Sequence, residues 1–264
     1  MSILKSLKYR INKLFTPIIN LRDQIVDISL IDSLEQYKKE KVLLKIPIKR
    51  CVLGMFWKLD ETNPFVQSMI QSDYSILRKY YEEFQPSNVN ELFNLDLQND
   101  YGRMDAYSYS LPWNSDSPQF MLRRRKEVAV KENKQRSGEN LSLFEGGHTD
   151  FGPVSENKLS IEISRLAELY LSIQKHGFKE DLNKNDGGIK GYFLLNSDRE
   201  WRFYINGGKH RAYVLAALGH KEIPVVLNHS IQTVKVDKID QWPQVANRNY
   251  NHYNAQLIFE RFFN

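Results

Sequence analysis

The chain has a single cysteine, Cys51, among its 264 residues. That excludes an intramolecular disulfide and any metal site built on several thiolates. Such scarcity fits a reducing compartment. There is no apolar run long enough to span a bilayer, no internal repeat and no low-complexity tract. Acidic residues are missing before Asp23. What remains is ordinary for a globular protein: 41% hydrophobic and 26% charged residues, with a formal net charge of +5 that leans toward anionic partners without naming one. The length suits one large domain or two small ones.

The acid-free start is amphipathic. Ile3, Leu4, Leu7, Ile11, Leu14 and Phe15 share one helical stripe, Lys5, Lys8, Arg10 and Lys13 lie elsewhere, and Pro17 ends the run. Basic residues interrupt any signal-type apolar core. Residues 1–15 can therefore pack on the domain or lie on an anionic membrane surface. Beyond them, Val42–Ile48 and Cys51–Trp57 suit strands, with Pro47 marking the first as an edge or a broken strand. Pro64 opens a helix that Pro86 closes, and Val89–Leu95 suits a short helix. Residues 99–118 form a turn-rich loop whose aromatics need burial. The basic run Arg123, Arg124, Arg125, Lys126, Lys131, Lys134 and Arg136 suits a solvated helix face, with contact to nucleic acid or acidic lipid as the functional alternative. Gly138–Val154 is a second loop of interest, small and polar over Gly146–Pro153, because His148 and Asp150 could reach a ligand from it. Ser160 suits an N-cap for the helix that follows, and Glu162 and Arg165, one turn apart, suit a surface ion pair. A terminal amphipathic helix carries Ala255, Ile258, Phe259, Phe262 and Phe263.

The rest of the chain is organised around one stretch. A β-rich run, Trp201 to Ile205, stops at Gly207 and Gly208; Lys209, His210 and Arg211 then open an apolar helix that ends at Gly219, and Ile223–Leu227 follows as a strand. Glycines allow a sharp bend, and the first turn of a helix offers unpaired N–H groups and partial positive charge. With three basic side chains added, the turn suits a phosphate. It equally suits a tight turn whose Lys209 and Arg211 are merely solvated.

The sequence Gly207-Gly208-Lys209-His210-Arg211, with Leu218-Gly219 and Ile223-Pro224-Val225 behind it, resembles the nucleotide-binding signature of the ParB/sulfiredoxin superfamily. Leu166–Phe178 is similar to that superfamily's first box. Together they cover about residues 150–230. The resemblance implies an α+β fold: a small mixed-sheet unit over 138–230, a mainly helical region over 1–137 and a helical tail over 231–264. It implies ATP or CTP as ligand with Mg²⁺. Gly207, Gly208, Lys209, His210, Arg211 and Arg165 then bind the nucleotide. Glu162, His210 and Asp150 become the catalytic candidates, with Glu162 also holding the metal.

Departures from the family narrow the chemistry. Sulfiredoxins place a catalytic cysteine where Lys209 stands, so sulfinic acid reduction is disfavoured. Partition proteins continue into a helix-turn-helix and a dimerisation domain, for which the 36 residues after Asn228 are too few. Kinases of the superfamily carry an acid where Gly207 stands, so the carboxylate must come from Glu162 or Asp150. The expectation is a cytoplasmic, nucleotide-dependent phosphotransferase acting on a small hydroxyl compound. Its acceptor would be a sugar, as bacterial relatives occur beside surface-polysaccharide genes. The other reading is a non-catalytic nucleotide- or nucleic-acid-binding module.

Overall fold

Alternation of side chains along two central strands sets the architecture. In the computed structural model, β5 (Lys190–Leu195) and β6 (Trp201–Gly207) form the expected antiparallel hairpin, with Phe193 opposite Phe203. Successive residues of a strand face opposite sides. Phe193, Leu195, Trp201, Phe203 and Ile205 enter one core, while Tyr192, Leu194 and Tyr204 enter another. Both faces are apolar, so the sheet must be covered on both sides. The structure describes residues 17–38, 40–137, 141–181, 187–227 and 231–264. The expected amphipathic helix and membrane contact over 1–15 lie outside them. Among the described residues no helix is long and apolar enough to cross a membrane.

The sheet is wider than the sequence suggests. Helix outweighs strand in the N-terminal region, yet that region supplies β1 (Ile18–Asn20), β2 (Lys41–Pro47), β3 (Cys51–Leu53) and β4 (Trp57–Lys58). With β7 (Glu222–Leu227) and β8 (Thr233–Lys235), the order is β1-β2-β7-β5-β6-β3-β4. β8 pairs with β5 beside β7, on the same edge. Strand pairing is mixed, and the fold is α+β. The sheet thus draws strands from 1–137, 138–230 and 231–264 alike. Pro47 does not make β2 an edge: it sits at the strand's last position, opposite Glu222, and β2 pairs with β1 on one side and β7 on the other.

The helices run Ile28–Ser33 (α1), Pro64–Ile70 (α2), Ser75–Glu83 (α3), Val89–Phe93 (α4), Pro118–Ser137 (α5), Leu143–Gly146 (α6), Glu156–His176 (α7), Lys209–Ala217 (α8), Pro243–Ala246 (α9) and His252–Glu260 (α10). α2, α3, α7 and α8 bury their apolar residues on one face of the sheet; α4 and α10 do so on the other. Asn63 caps α2, accepting from Phe65 N at 3.0 Å, with Pro64 at the first helical position. Phe65 then stacks on Tyr213 of α8 with ring centroids 4.7 Å apart. Both rings are fully buried, and deleting such a ring costs about 3–5 kcal/mol. That stack locks α8 against α2. The loop over 99–118 is ordered as expected, with Tyr101, Tyr107, Tyr109, Leu111 and Trp113 buried.

Candidate functional site

The turn from β6 to α8 requires a left-handed residue. Gly208 has φ +76°, and a Cβ there would stand 2.7 Å from the Gly188 carbonyl oxygen. Only glycine meets both conditions without strain. Gly208 is also the N-cap of α8, and no side chain caps that helix. Its first-turn N–H groups therefore open on a cleft of about 1110 Å³ rather than on a capping residue. Gly207, Gly208, Lys209, His210, Arg211, Arg165 and Asp150 all line that cleft. The sequence-predicted site residues are thus brought together, with Glu162 set behind the wall.

Glu162 departs most from expectation. α7 is capped by Ser155, not Ser160, because Ser155 Oγ accepts from Lys158 N at 3.1 Å. Glu162 is therefore beyond the first turn, where the helix dipole no longer supports its charge. It is 0% exposed and does not pair with Arg165, which turns instead toward Glu132 of α5 at 3.8 Å. Its oxygens are both engaged: Oε2 meets His210 Nε2 at 2.6 Å, and Oε1 accepts from Lys158 Nζ at 2.8 Å. Burial alone would raise this carboxyl, but His210 and Lys158 outweigh it and hold it well below the usual carboxylate range. Glu162 is an ionised anchor, not an open base.

Asp150 is arranged in the same way. Lys209 Nζ donates to Oδ1 at 2.7 Å and to Oδ2 at 3.0 Å, and Tyr109 donates its hydroxyl to Oδ2 at 3.0 Å. Burial opposes ionisation here too, yet Lys209 beside it depresses the carboxyl. The loop carrying it is fixed by α3, where Tyr80 and Tyr81 donate to the carbonyls of Asp150 and Thr149. Gly147 has φ +89°, and a Cβ there would overlap the Pro153 carbonyl oxygen. Asp150 N donates to His148 Nδ1 at 3.1 Å. Burial lowers His148 to about 4, so its ring is neutral near pH 7.

Two cleft residues escaped the sequence reading. Lys158 is 3% exposed and completes the Glu162 pocket. Arg125, taken with the solvated run of α5, turns inward: its Nη1 donates to the carbonyls of Tyr107 and Tyr109, and the guanidinium lies 3.7 Å over the Tyr109 ring. Arg125, Ala129 and Asn133 are buried at intervals of four, a helical stripe with no large apolar residue to betray it.

Comparison of the chain with family models, with curated proteins and with solved structures finds no match. The site must be read from its own chemistry. It is a glycine turn into a helix N-terminus, with Lys209 and Arg211 on the cleft lining beside an imidazole held by a buried carboxylate. Cys51 is no part of it, being fully buried in β3 with its thiol pushed up by burial.

Proposed function

We propose that the cleft carries out nucleotide-dependent phosphoryl transfer to a small hydroxyl compound, with ATP or CTP held by its phosphates on the β6–α8 turn. The observation that carries this reading is the Glu162–His210 contact of 2.6 Å at the mouth of that turn. An ionised carboxylate accepting from Nε2–H fixes the imidazole's tautomer and leaves Nδ1 as the basic atom. In this assignment His210 is the general base and Glu162 is the group that positions it, which revises the direct catalytic role expected of Glu162. The acceptor oxygen attacks the γ-phosphorus, its proton passes to Nδ1, and the bond to the β-phosphate oxygen breaks to release the diphosphate. Lys209, Arg211 and the α8 N–H groups oppose the charge that develops.

Asp150 supports the same arrangement by holding Lys209 in place. Neither carboxylate fits the role of a Mg²⁺ ligand, since both oxygens of Asp150 accept from Lys209, and those of Glu162 accept from Lys158 and His210. The likeness of Gly207–Arg211 to the ParB/sulfiredoxin turn supports the choice of a nucleotide. Lys209 at the position of the sulfiredoxin cysteine, with Cys51 buried elsewhere, argues against thiol chemistry.

The test is transfer of the γ-phosphate from labelled ATP and CTP to a panel of sugars and other hydroxyl compounds. Transfer by the wild type that falls about a hundredfold or more in His210→Asn is the expected result. Nucleotide binding with neither transfer nor hydrolysis would leave a non-catalytic binding module in its place.

A further inference from the structure

Arg125 poses a problem that the turn does not solve. A guanidinium cannot shed its proton at any working pH. Burying it therefore requires anionic company or costs several kcal/mol. Arg125 is 8% exposed, and among the described residues no carboxylate lies within ion-pair distance of it. Its neighbours in α5 behave otherwise: exposed Arg124 reaches Asp116 at 3.8 Å, while exposed Arg123 lies over the Phe120 ring. What Arg125 does have is neutral: two backbone carbonyls and the face of Tyr109. Those contacts engage the single nitrogen Nη1 and one face of the guanidinium, and they hold it in place. The side chain lines the cleft that Lys209 and His210 also line.

A rigid, buried, unpaired cation facing a cleft is a site awaiting an anion. Lys209 differs, because Asp150 already pairs it. Tyr109 stands between the two, its ring under Arg125 and its hydroxyl on Asp150. The cleft thus has two cationic poles joined through one tyrosine. We propose that Arg125 is the centre of a second anion site in the cleft, taking a phosphate or carboxylate group in addition to the phosphates held at the β6–α8 turn. Within the phosphotransfer reading, on which only this last step rests, the second group belongs either to the far end of a polyphosphate chain or to an acceptor that is itself anionic, such as a sugar phosphate or a hydroxy acid. A neutral polyol leaves the pole unmatched.

The experiment uses the full chain and inorganic phosphate as probe, at fixed ionic strength held with chloride. The readout is the rise in Tm at increasing phosphate, which is separate from each variant's own Tm. The wild type is expected to be stabilised. Arg125→Met should keep only the part of that increment that the β6–α8 turn supplies, the remainder weakening by roughly tenfold or more in affinity, while Arg123→Gln should keep all of it. Where Arg125→Met does not fold, Arg125→Gln is read instead, since it removes the charge while its amide N–H groups can still donate to the Tyr107 and Tyr109 carbonyls. An increment unchanged in Arg125→Met or in Arg125→Gln would show that the residue only braces the Tyr107–Tyr109 backbone, and would overturn the proposal. Two further arms separate the sources. Arg125→Met that discriminates triphosphate from monophosphate less than the wild type points to the nucleotide; weaker binding of a sugar phosphate beside its neutral sugar points to the acceptor. Should no nucleotide bind at all, the phosphotransfer reading falls while the phosphate increment still decides this one.

Discussion

Replacing Glu162 with glutamine is the sharpest single perturbation, because it changes charge while almost preserving shape. In the folded chain the carboxylate sits at 0% exposure among three donors, Lys158 Nζ at 2.8 Å, His210 Nε2 at 2.6 Å and, more weakly, Thr149 Oγ1 at 3.4 Å. A glutamine has one accepting oxygen and one donating nitrogen. One neighbour therefore keeps an acceptor and the other meets an N–H. If the oxygen stays on His210, Lys158 is left buried with Glu132 at 3.6 Å as its remaining counter-charge. If it turns to Lys158, His210 loses the group that fixes its tautomer. Removing one partner of a buried pair costs about 3–5 kcal/mol, much of it from the charge left behind. That is a large part of a typical stability of roughly 5–15 kcal/mol. For a chain of this size it corresponds to a fall in Tm on the order of 10 °C. Urea denaturation followed by circular dichroism measures the loss, with the midpoint moving and the slope unchanged. Turnover, measured where the variant is still folded, should fall about a hundredfold or more, because His210 is no longer held. A loss below about 1 kcal/mol would be the behaviour of an exposed ion pair, and would refute the buried, doubly paired carboxylate.

Four further outcomes follow from the same geometry. Gly208→Ala should destabilise by at least about 1–2 kcal/mol in chemical denaturation, as it strains a φ of +76° and crowds the Gly188 carbonyl; Gly207→Ala, whose Cβ would make an ordinary 3.4 Å contact with Lys190, should be nearly silent. Lys209→Ala should cost several kcal/mol without any ligand, since it strands Asp150, and Asp150→Asn in the same chain should recover part of that cost in a double-mutant cycle. Acid should destabilise in two windows seen by Tm against pH. His148 binds its proton at about 4 when folded and near 6.5 when unfolded, so stability falls as pH drops from about 6.5 to 4, by at most about 3 kcal/mol. Asp150 and Glu162 are depressed when folded, so the stability they confer is whole above their ordinary values of 3.8 and 4.5 and is lost below them. His148→Asn should remove the upper window and leave the lower one.

The parts of the fold that were legible in the sequence are those encoded by local period. The hairpin of β5 and β6 reads from its alternation, α8 from the glycine turn before it, and the burial of the 99–118 loop from its aromatics. The N-terminal strands beside them were read in part, since Val42–Ile48 and Cys51–Trp57 have strand composition, yet β3 lies parallel to β6 across 150 residues of sequence. No local pattern encodes that pairing. Pro47 misled because composition does not show where a strand ends: it closes β2, opposite Glu222, and the pairing of the strand before it is intact. The start of α7 was misjudged because Ser155 and Ser160 are equally good caps by residue type; only the tertiary placement of the loop over 146–154 selects the first.

The candidate site divides along the same line. Residues 206–211 are contiguous, and their chemistry can be read as a unit. What decides their behaviour is not contiguous: Glu162 and Asp150 reach them from α7 and from the loop before it, and Tyr109 and Arg125 from the other side of the sheet. Charge makes this worse, because a Glu next to an Arg one turn away reads as a solvated pair, and an Arg in a basic run reads as one of many. Burial reverses both judgements. Once Glu162 is enclosed it must be paired by something stronger than Arg165 at the surface, and His210 and Lys158 are what the fold supplies. Once Asp150 is enclosed it does the same for Lys209. The two carboxylates are thereby committed to holding Lys158, His210 and Lys209 in place, and Lys158, Lys209 and His210 line the cleft. Under the phosphotransfer proposal, groups held in this way oppose developing negative charge without rearranging at the moment of reaction.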